Sequence, residues 1–158
     1  MRTKIKVLFI CIHNSARSQI AEALLKKYTN DKFNILSGGF EPKKINPLAI
    51  EALKEEGIDI SKNSSHSLFE YLKEGKLFNY IITVCDEANA QKCPIFPGMS
   101  TRIHWSFEDP SSFEGTEAEK LQKTIAIKDA IKKNIIDFIK LVEKKTAKKD
   151  FPPAWKVH

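Results

Sequence analysis

Several features are scarce in this chain of 158 residues. It has three cysteines, and no apolar run approaches the roughly 18 residues of a membrane span. An odd cysteine count argues against a disulfide framework and favours reactive or buried thiols. The apolar stretch near the amino terminus, residues 5–10, is too short for a signal peptide, and no small-residue cleavage site follows it. We therefore expect a cytoplasmic protein that does not enter a membrane.

Acidic residues are also fewer than basic ones, 20 against 26, which gives a net charge of +6. Much of the basic excess lies near the carboxyl terminus, at Lys144, Lys145, Lys148 and Lys149. Because cations favour the last turn of a helix, this run indicates a solvated helix end rather than a nucleic-acid surface. The positive field would still help to attract a small anion. We predict no nucleic-acid partner and expect a monomer.

Strands and helices alternate along the chain. Apolar and β-rich runs predict four strands, at residues 5–10, 33–37, 79–84 and 102–105. Helical spacing of apolar residues predicts three helices, at 18–28, at 47–56 with Gly57 as its stop, and at 117–145. This alternation indicates an α/β fold with a parallel sheet covered on both faces. We expect one domain over residues 1–145 and a tail, 146–158, to which we assign no function.

The loop after the first strand carries the most chemistry, and it reads Cys11-Ile12-His13-Asn14-Ser15-Ala16-Arg17. Backbone N–H groups that curl inward, together with the amino terminus of the next helix, form a nest for an anion. Arg17 offers a planar fork that suits a tetrahedral oxyanion. The same field favours the thiolate of Cys11, which is a nucleophile. The alternative is a buried cysteine followed by a surface arginine, but the polar groups within the loop favour the oxyanion site.

Ser18 follows this loop directly. We predict that it caps the helix and that its hydroxyl group also hydrogen-bonds the sulfur of Cys11.

The sequence resembles the low-molecular-weight tyrosine phosphatase superfamily and, within it, the thioredoxin-coupled arsenate reductases. The likeness extends to about residue 143 and rests on six segments: Cys11 to Glu22, Asn34 to Gly39, Gly57 to Ser61, Thr83 to Cys85, Cys93-Pro94 and His104 to Pro110. It implies a three-layer α/β sandwich around a central four-stranded parallel sheet.

The resemblance also implies roles for individual residues. Residues 12–18 would hold the oxyanion, which is arsenate with phosphate or sulfate as competitors. Asp109, rather than its neighbour Glu108, would be the general acid. Cys11 would bind arsenate covalently, Cys85 would attack Cys11 and expel arsenite, and Cys93 would then form a disulfide with Cys85 for thioredoxin to reduce. The polar segment between these two cysteines would change shape on oxidation. No metal or organic cofactor is required.

Some positions depart from the family pattern. His13 stands where the family often has glycine, and Cys85 and Cys93 are one residue further apart than in many members. Some members bind potassium, and Asn14, Glu22 and Ser37 match positions used there, although His66 replaces a further aspartate. A zinc site is not expected, because Cys85 and Cys93 lack a second close pair.

Two other functions stay open at this point. One is a phosphomonoesterase, for which Cys11, Arg17 and Asp109 would suffice. Against it, Ser111 and Ser112 follow Pro110 where the eukaryotic-type enzymes carry an aromatic pair. The other is a redox-sensing module that binds an oxyanion, in which the acid would have no purpose.

Overall fold

The computed structural model describes residues 4–84 and 98–150, with side chains up to residue 145. Its sheet has four parallel strands: β1 (Ile5–Cys11), β2 (Phe33–Gly39), β3 (Tyr80–Val84) and β4 (Thr101–Trp105). The helices are α1 (Arg17–Tyr28), α2 (Pro47–Lys54), α3 (Leu68–Lys73) and α4 (Glu117–Asp150), and a short 3-10 turn spans Pro110–Ser112. The predicted α/β fold and four-stranded parallel sheet are confirmed.

The strand order is β2-β1-β3-β4, so β1 lies between β2 and β3, and the order reverses direction at β1. In open parallel sheets such a reversal creates a crevice outside the carboxyl end of the central strand, where ligands bind. The register places Cys11 opposite Gly39, and Val84 opposite Trp105, at this edge. Cys11 therefore ends the strand at which this fold forms its crevice.

The side chains of β1 explain the layers. Val7 and Phe9 enter a core with α1, α2 and α4, whereas Leu8 and Ile10 enter a second core with α3. Successive side chains of a strand point to opposite faces, so a strand with a continuous apolar run, here Val7 to Ile10, must be covered on both sides. The sheet is accordingly the middle layer of a three-layer sandwich.

The sequence predictions miss two short elements and misplace some ends. The 3-10 turn and α3, which has six residues, are too short to show a helical period. Helix α4 continues to Asp150, beyond the predicted end at Lys145 and across the expected domain boundary. Helix α2 ends at Lys54, and Gly57 follows with a φ of 72°, a conformation that favours glycine. Among the described residues, no helix is long and apolar enough to cross a membrane.

Candidate active site

Carbonyl groups of the loop between β1 and α1 accept hydrogen bonds from a neighbouring segment of the chain. Three of them accept N–H groups of segment 41–46: Ile12 from Glu41 at 2.8 Å, His13 from Lys43 at 2.9 Å and Ser15 from Asn46 at 2.9 Å. A trans peptide points its N–H group away from its C=O group. The N–H groups that follow these carbonyls therefore face into the loop, and one of them, that of Asn14, donates to the Cys11 sulfur at 3.1 Å. This is the nest that the sequence predicts.

Two residues show how tightly this loop is packed. A Cβ atom on Gly39 would lie 2.7 Å from both the Asn14 nitrogen and the Ile12 oxygen, so only glycine fits beside the loop. Among the described residues other than glycine, Asn14 alone has a positive φ, at 52°, a region that asparagine tolerates. His13 needs no glycine-like conformation, and its ring Nδ1 lies 3.1 Å from the carbonyl oxygen of Glu41.

The side chain of Asn14 is the centre of a buried polar network. Its amide nitrogen donates to the hydroxyl groups of Ser18 at 2.7 Å and Ser37 at 2.9 Å. Its amide oxygen accepts the backbone N–H of His66 at 2.8 Å and the side-chain amide of Gln19 at 3.2 Å. All four hydrogen-bonding positions of the amide are therefore used, which fixes the strained loop in one conformation.

This network sets the polarity at the nucleophile. The Ser18 hydroxyl lies 2.8 Å from the Cys11 sulfur. Because that hydroxyl already accepts from Asn14, its own hydrogen is available to Cys11. Cys11, which is 2% exposed, thus accepts the Asn14 backbone N–H and shares a hydrogen bond with the Ser18 hydroxyl. These two polar contacts hold the sulfur in place at the loop.

The predicted contact between Ser18 and Cys11 is present, but the predicted helix cap is wrong. The residue before the first turn of α1 is Ala16, no side chain caps the helix, and Ser18 is already inside it. The physical reason is that the helix begins at Arg17, so Ser18 lies past the cap position, and its hydroxyl contacts Cys11 and Asn14 instead. The first N–H groups of the helix, which have no partner within the helix, are therefore left for an anion in the nest.

Arg17 and Asp109 meet beside the loop. The buried Arg17 guanidinium donates to the Phe107 carbonyl at 2.9 Å, and its Nη2 lies 3.4 Å from Oδ2 of Asp109. The other carboxylate oxygen, Oδ1, accepts the N–H of Ser111 at 3.0 Å as the cap of the 3-10 turn. Oδ2 is thus the oxygen turned toward the oxyanion site. Glu108, the alternative acid, is exposed.

The positions predicted for potassium also lie together. Besides the bond from Asn14, the Ser37 hydroxyl donates to Oε1 of Glu22 at 2.5 Å. The second oxygen of Glu22 is 2.6 Å from the ammonium group of Lys26. In the described part of the chain, no group of three or more His, Cys, Asp and Glu side chains could hold a metal ion.

The two remaining predicted site residues, Cys85 and Cys93, lie outside the described residues, as does the segment between them. The structure describes β3 up to Val84, at the same edge of the sheet as Cys11. The relay therefore stays a prediction.

The residues that support the loop are not predicted from the sequence. Gly39 and Gln19 enter there only within segments of the family resemblance, and segment 41–46 has no predicted role. Segment 41–46 supports the loop through backbone N–H groups, which every residue except proline has, so the residue types do not reveal this role. The clearest available signal is Gln19, a polar residue that shares a helix face with Ala23, four residues further on, and is buried like it.

Comparisons with known proteins agree with this geometry. Residues 6–148 match the family described as low molecular weight phosphotyrosine protein phosphatase. The arsenate reductase of Halalkalibacterium halodurans is 39% identical over 132 residues, which cover 84% of this chain and 93% of that protein. The arsenate reductase of Bacillus subtilis is also 39% identical, over 87% of this chain and 96% of its own length.

Solved structures show the same fold. A thioredoxin-dependent arsenate reductase of Corynebacterium glutamicum superposes with a TM-score of 0.68 and 30% identity, over 90% of this chain and 63% of that chain. An arsenate reductase in a phosphate-binding state superposes with a TM-score of 0.68 and 26% identity, over 85% of this chain and 96% of the other.

Proposed function

The chain belongs to the low molecular weight phosphotyrosine protein phosphatase family, in the branch of the arsenate reductases, and on that premise we propose that it reduces arsenate to arsenite. The proposed route uses a relay of Cys11, Cys85 and Cys93 that thioredoxin regenerates. The observation that carries the proposal is the environment of Cys11. Its sulfur accepts the Asn14 N–H and is hydrogen-bonded to the Ser18 hydroxyl, with Arg17 and Oδ2 of Asp109 alongside.

The first step follows from this geometry. The nest and Arg17 bind the oxyanion and place its central atom in front of the Cys11 sulfur. The thiolate attacks arsenic, and an S–As bond forms while one As–O bond breaks. Oδ2 of Asp109 supplies the proton with which the departing oxygen leaves as water. Because Oδ1 is held by the Ser111 N–H, Oδ2 is the oxygen that can serve the leaving group.

The reduction itself requires sulfur chemistry. The Cys85 thiolate attacks the Cys11 sulfur, an S–S bond forms, and the electron pair of the S–As bond stays on arsenic. Arsenic passes from the +5 to the +3 state and leaves as arsenite. Cys93 then attacks Cys85, which releases Cys11 as a thiolate and leaves a Cys85–Cys93 disulfide. A thioredoxin dithiol reduces that bond and restores the enzyme.

A phosphomonoesterase is the second candidate, because its chemistry needs only the nucleophile, the arginine and the acid that the structure brings together. The turn beyond the acid argues against an aryl substrate. Ser111 and Ser112 occupy that turn, and both are exposed. These two positions therefore offer no aromatic platform for a phosphotyrosine ring.

The two candidates differ in what drives turnover. We expect the wild-type protein to oxidise NADPH in the presence of thioredoxin and thioredoxin reductase only when arsenate is added. In Cys93→Ser the relay stops before the last exchange, so steady-state turnover should fall by about a hundredfold or more. Hydrolysis of an aryl phosphate, measured on the same two proteins, should be equal, because that reaction does not need Cys93.

Two results would contradict the proposal. If the wild type shows no arsenate-dependent turnover yet hydrolyses an aryl phosphate efficiently, the protein is a phosphomonoesterase. If Cys93→Ser turns over arsenate as fast as the wild type, Cys93 has no part in the cycle.

A further inference from the structure

The network around Asn14 reaches the protein surface through Glu22. The Ser37 hydroxyl accepts from Asn14, so its own hydrogen is the one donated to Oε1 of Glu22. Glu22 must then act as an acceptor, and its side chain is only 14% exposed. A carboxylate so far withdrawn from water needs a counter-charge. Lys26 provides it, at 2.6 Å on the other carboxylate oxygen.

Potassium is the counter-charge that the family resemblance suggests, but the residues do not fit that ion as they are arranged. Potassium, like other hard cations, binds oxygen atoms that still have a free lone pair. The Asn14 amide oxygen already accepts two N–H donors, and the two oxygens of Glu22 contact Ser37 and Lys26. An ion in this place would compete with these protein donors and would be repelled by the ammonium group of Lys26.

The surroundings of Lys26 favour the same conclusion. Glu22 and Lys26 line a polar pocket of about 280 Å³, which a second lysine, Lys62, also lines. His66, which stands where potassium-binding members have an aspartate, contributes to this pocket as well. The pocket thus carries two lysines and one carboxylate, a balance that disfavours an added cation.

An ordinary surface ion pair is the simpler interpretation of Glu22 and Lys26, which are four residues apart on α1. Such pairs usually contribute little. This pair differs because Glu22 is not a surface acceptor alone. Its first oxygen is bonded to Ser37, which is 1% exposed and belongs to the network that holds the Cys11 loop.

We propose that Lys26 acts as a built-in monovalent cation. Its ammonium group contacts one carboxylate oxygen of Glu22 at 2.6 Å, and the other oxygen of Glu22 in turn fixes the hydroxyl of Ser37 and, through it, the amide of Asn14 that holds the nucleophile. Lys26 is thus a positioning residue, and this protein does not need potassium. The proposal concerns the loop itself and holds whichever oxyanion Cys11 attacks.

Thermal unfolding tests this without any substrate. A ligand that binds only the folded state raises the melting temperature. The melting temperature of the wild type should be the same in potassium chloride as in choline chloride of equal ionic strength. Lys26→Met leaves Glu22 without its cation, so potassium chloride should raise the melting temperature of this variant above its value in choline chloride, by about 2–4 °C.

Two further variants serve as controls. Lys26→Arg restores a cation on Glu22 and should behave like the wild type. Lys54→Met removes a lysine from an exposed pair with Glu51, at 2.8 Å, that touches no part of the site, and it should show no potassium effect. Arsenate turnover, where present, should respond to potassium only in Lys26→Met.

The result that overturns the proposal is a wild-type melting temperature that potassium raises above its value in choline. A Lys26→Met protein that ignores potassium overturns it equally, because Lys26 would then be an ordinary surface partner of Glu22.

Discussion

The two ends of helix α1 differ in the groups that their hydrogen-bond donors contact. At its amino end, the Asn14 N–H contacts the Cys11 sulfur, and the Arg17 guanidinium contacts Oδ2 of Asp109 beside the predicted oxyanion site. At its carboxyl end, Lys27 and Tyr28 contact the carboxylate of Glu56. Both ends gather hydrogen-bond donors, but the sequence predicts an external anion only at the first.

The carboxylate of Glu56 has all of its partners within the chain. This carboxylate, 8% exposed, lies 3.0 Å from the Tyr28 hydroxyl and 3.0 to 3.3 Å from the ammonium groups of Lys27, Lys128 and Lys132. Burial opposes the ionisation of Glu56, but the hydrogen bonds from Lys132, Tyr28, Lys128 and Lys27 outweigh it and lower the pKa to about 2. These contacts connect α1, the turn after α2 and α4.

The difference separates a structural cluster from a binding site. Where donors and acceptors balance, as at Glu56, the cluster contributes stability and leaves nothing for a ligand. At the Cys11 loop, by contrast, we propose that the donors serve an external oxyanion. Changes at the two ends should therefore affect different measurements, activity at one end and stability at the other.

The largest expected effect among these changes comes from Arg17→Lys at the amino end. Lysine keeps the positive charge but loses the planar fork, so kcat/KM for arsenate should fall by about a hundredfold. The free energy of unfolding should change little by comparison. Lys132→Arg at the other end is the matched control and should leave kcat/KM within about twofold. Wild-type kcat/KM in Arg17→Lys would show that the fork does not bind the oxyanion.

Gly39→Ala should have a mixed effect. The new methyl group would lie 2.7 Å from the Asn14 nitrogen and must displace the loop, so we expect kcat/KM to fall by about tenfold and stability by about 1–3 kcal/mol. Gly38→Ala sharpens the comparison, because its methyl group would press on Tyr71 and Leu68, away from the loop. It should reduce stability alone, as urea unfolding and arsenate kinetics on both variants would show. Equal loss of activity in the two variants would contradict a specific role for Gly39.

Glu56→Gln should have the smallest effect on activity, with kcat/KM within about twofold of wild type, yet it should lower the free energy of unfolding at pH 7 by about 2 kcal/mol. Because the pKa of Glu56 is lowered from 4.5 to about 2 in the folded state, its contribution is full above the unfolded value and is lost as the pH falls between these two values. Urea unfolding should therefore show the difference between the two proteins shrinking from pH 5 to pH 2.

Glu51→Gln, in an exposed pair with Lys54, is the control and should change stability by less than about 0.5 kcal/mol. A difference between Glu56→Gln and wild type that stays constant down to pH 2 would show that the charge of Glu56 is not what stabilises the fold.

The sequence was informative about the amino end of α1 and silent about the carboxyl end. Cys11 and Arg17 lie only six residues apart, and their spacing, together with the polar groups of the loop and the strand and helix on either side, predicts an anion nest and the contact between Ser18 and Cys11. Glu56 and Lys132 lie far apart in sequence, and each resembles an ordinary surface charge until α4 packs against α1 and α2. Gly39 illustrates the same limit. Only glycine fits there because the loop that it contacts lies before α1 and β2 in the sequence, far from position 39.

The cap predicted at Ser18 failed for a related reason. A serine at a helix start usually bonds the helix backbone, and only the positions of Cys11 and Asn14 show that this hydroxyl is engaged elsewhere. Local rules are thus overridden where the chain builds a site.

A single-turnover reaction tests most directly whether the Cys11 loop passes an oxyanion to a sulfur relay. Reduced protein is mixed with arsenate in the absence of thioredoxin or any other reductant, and arsenite and protein thiols are measured together. We predict one arsenite per chain, the loss of two thiols and a Cys85–Cys93 disulfide by mass spectrometry, with no arsenite from Cys11→Ser. Arsenite released by Cys11→Ser at the wild-type level, or a wild type that releases none while its three cysteines stay reduced, would contradict it.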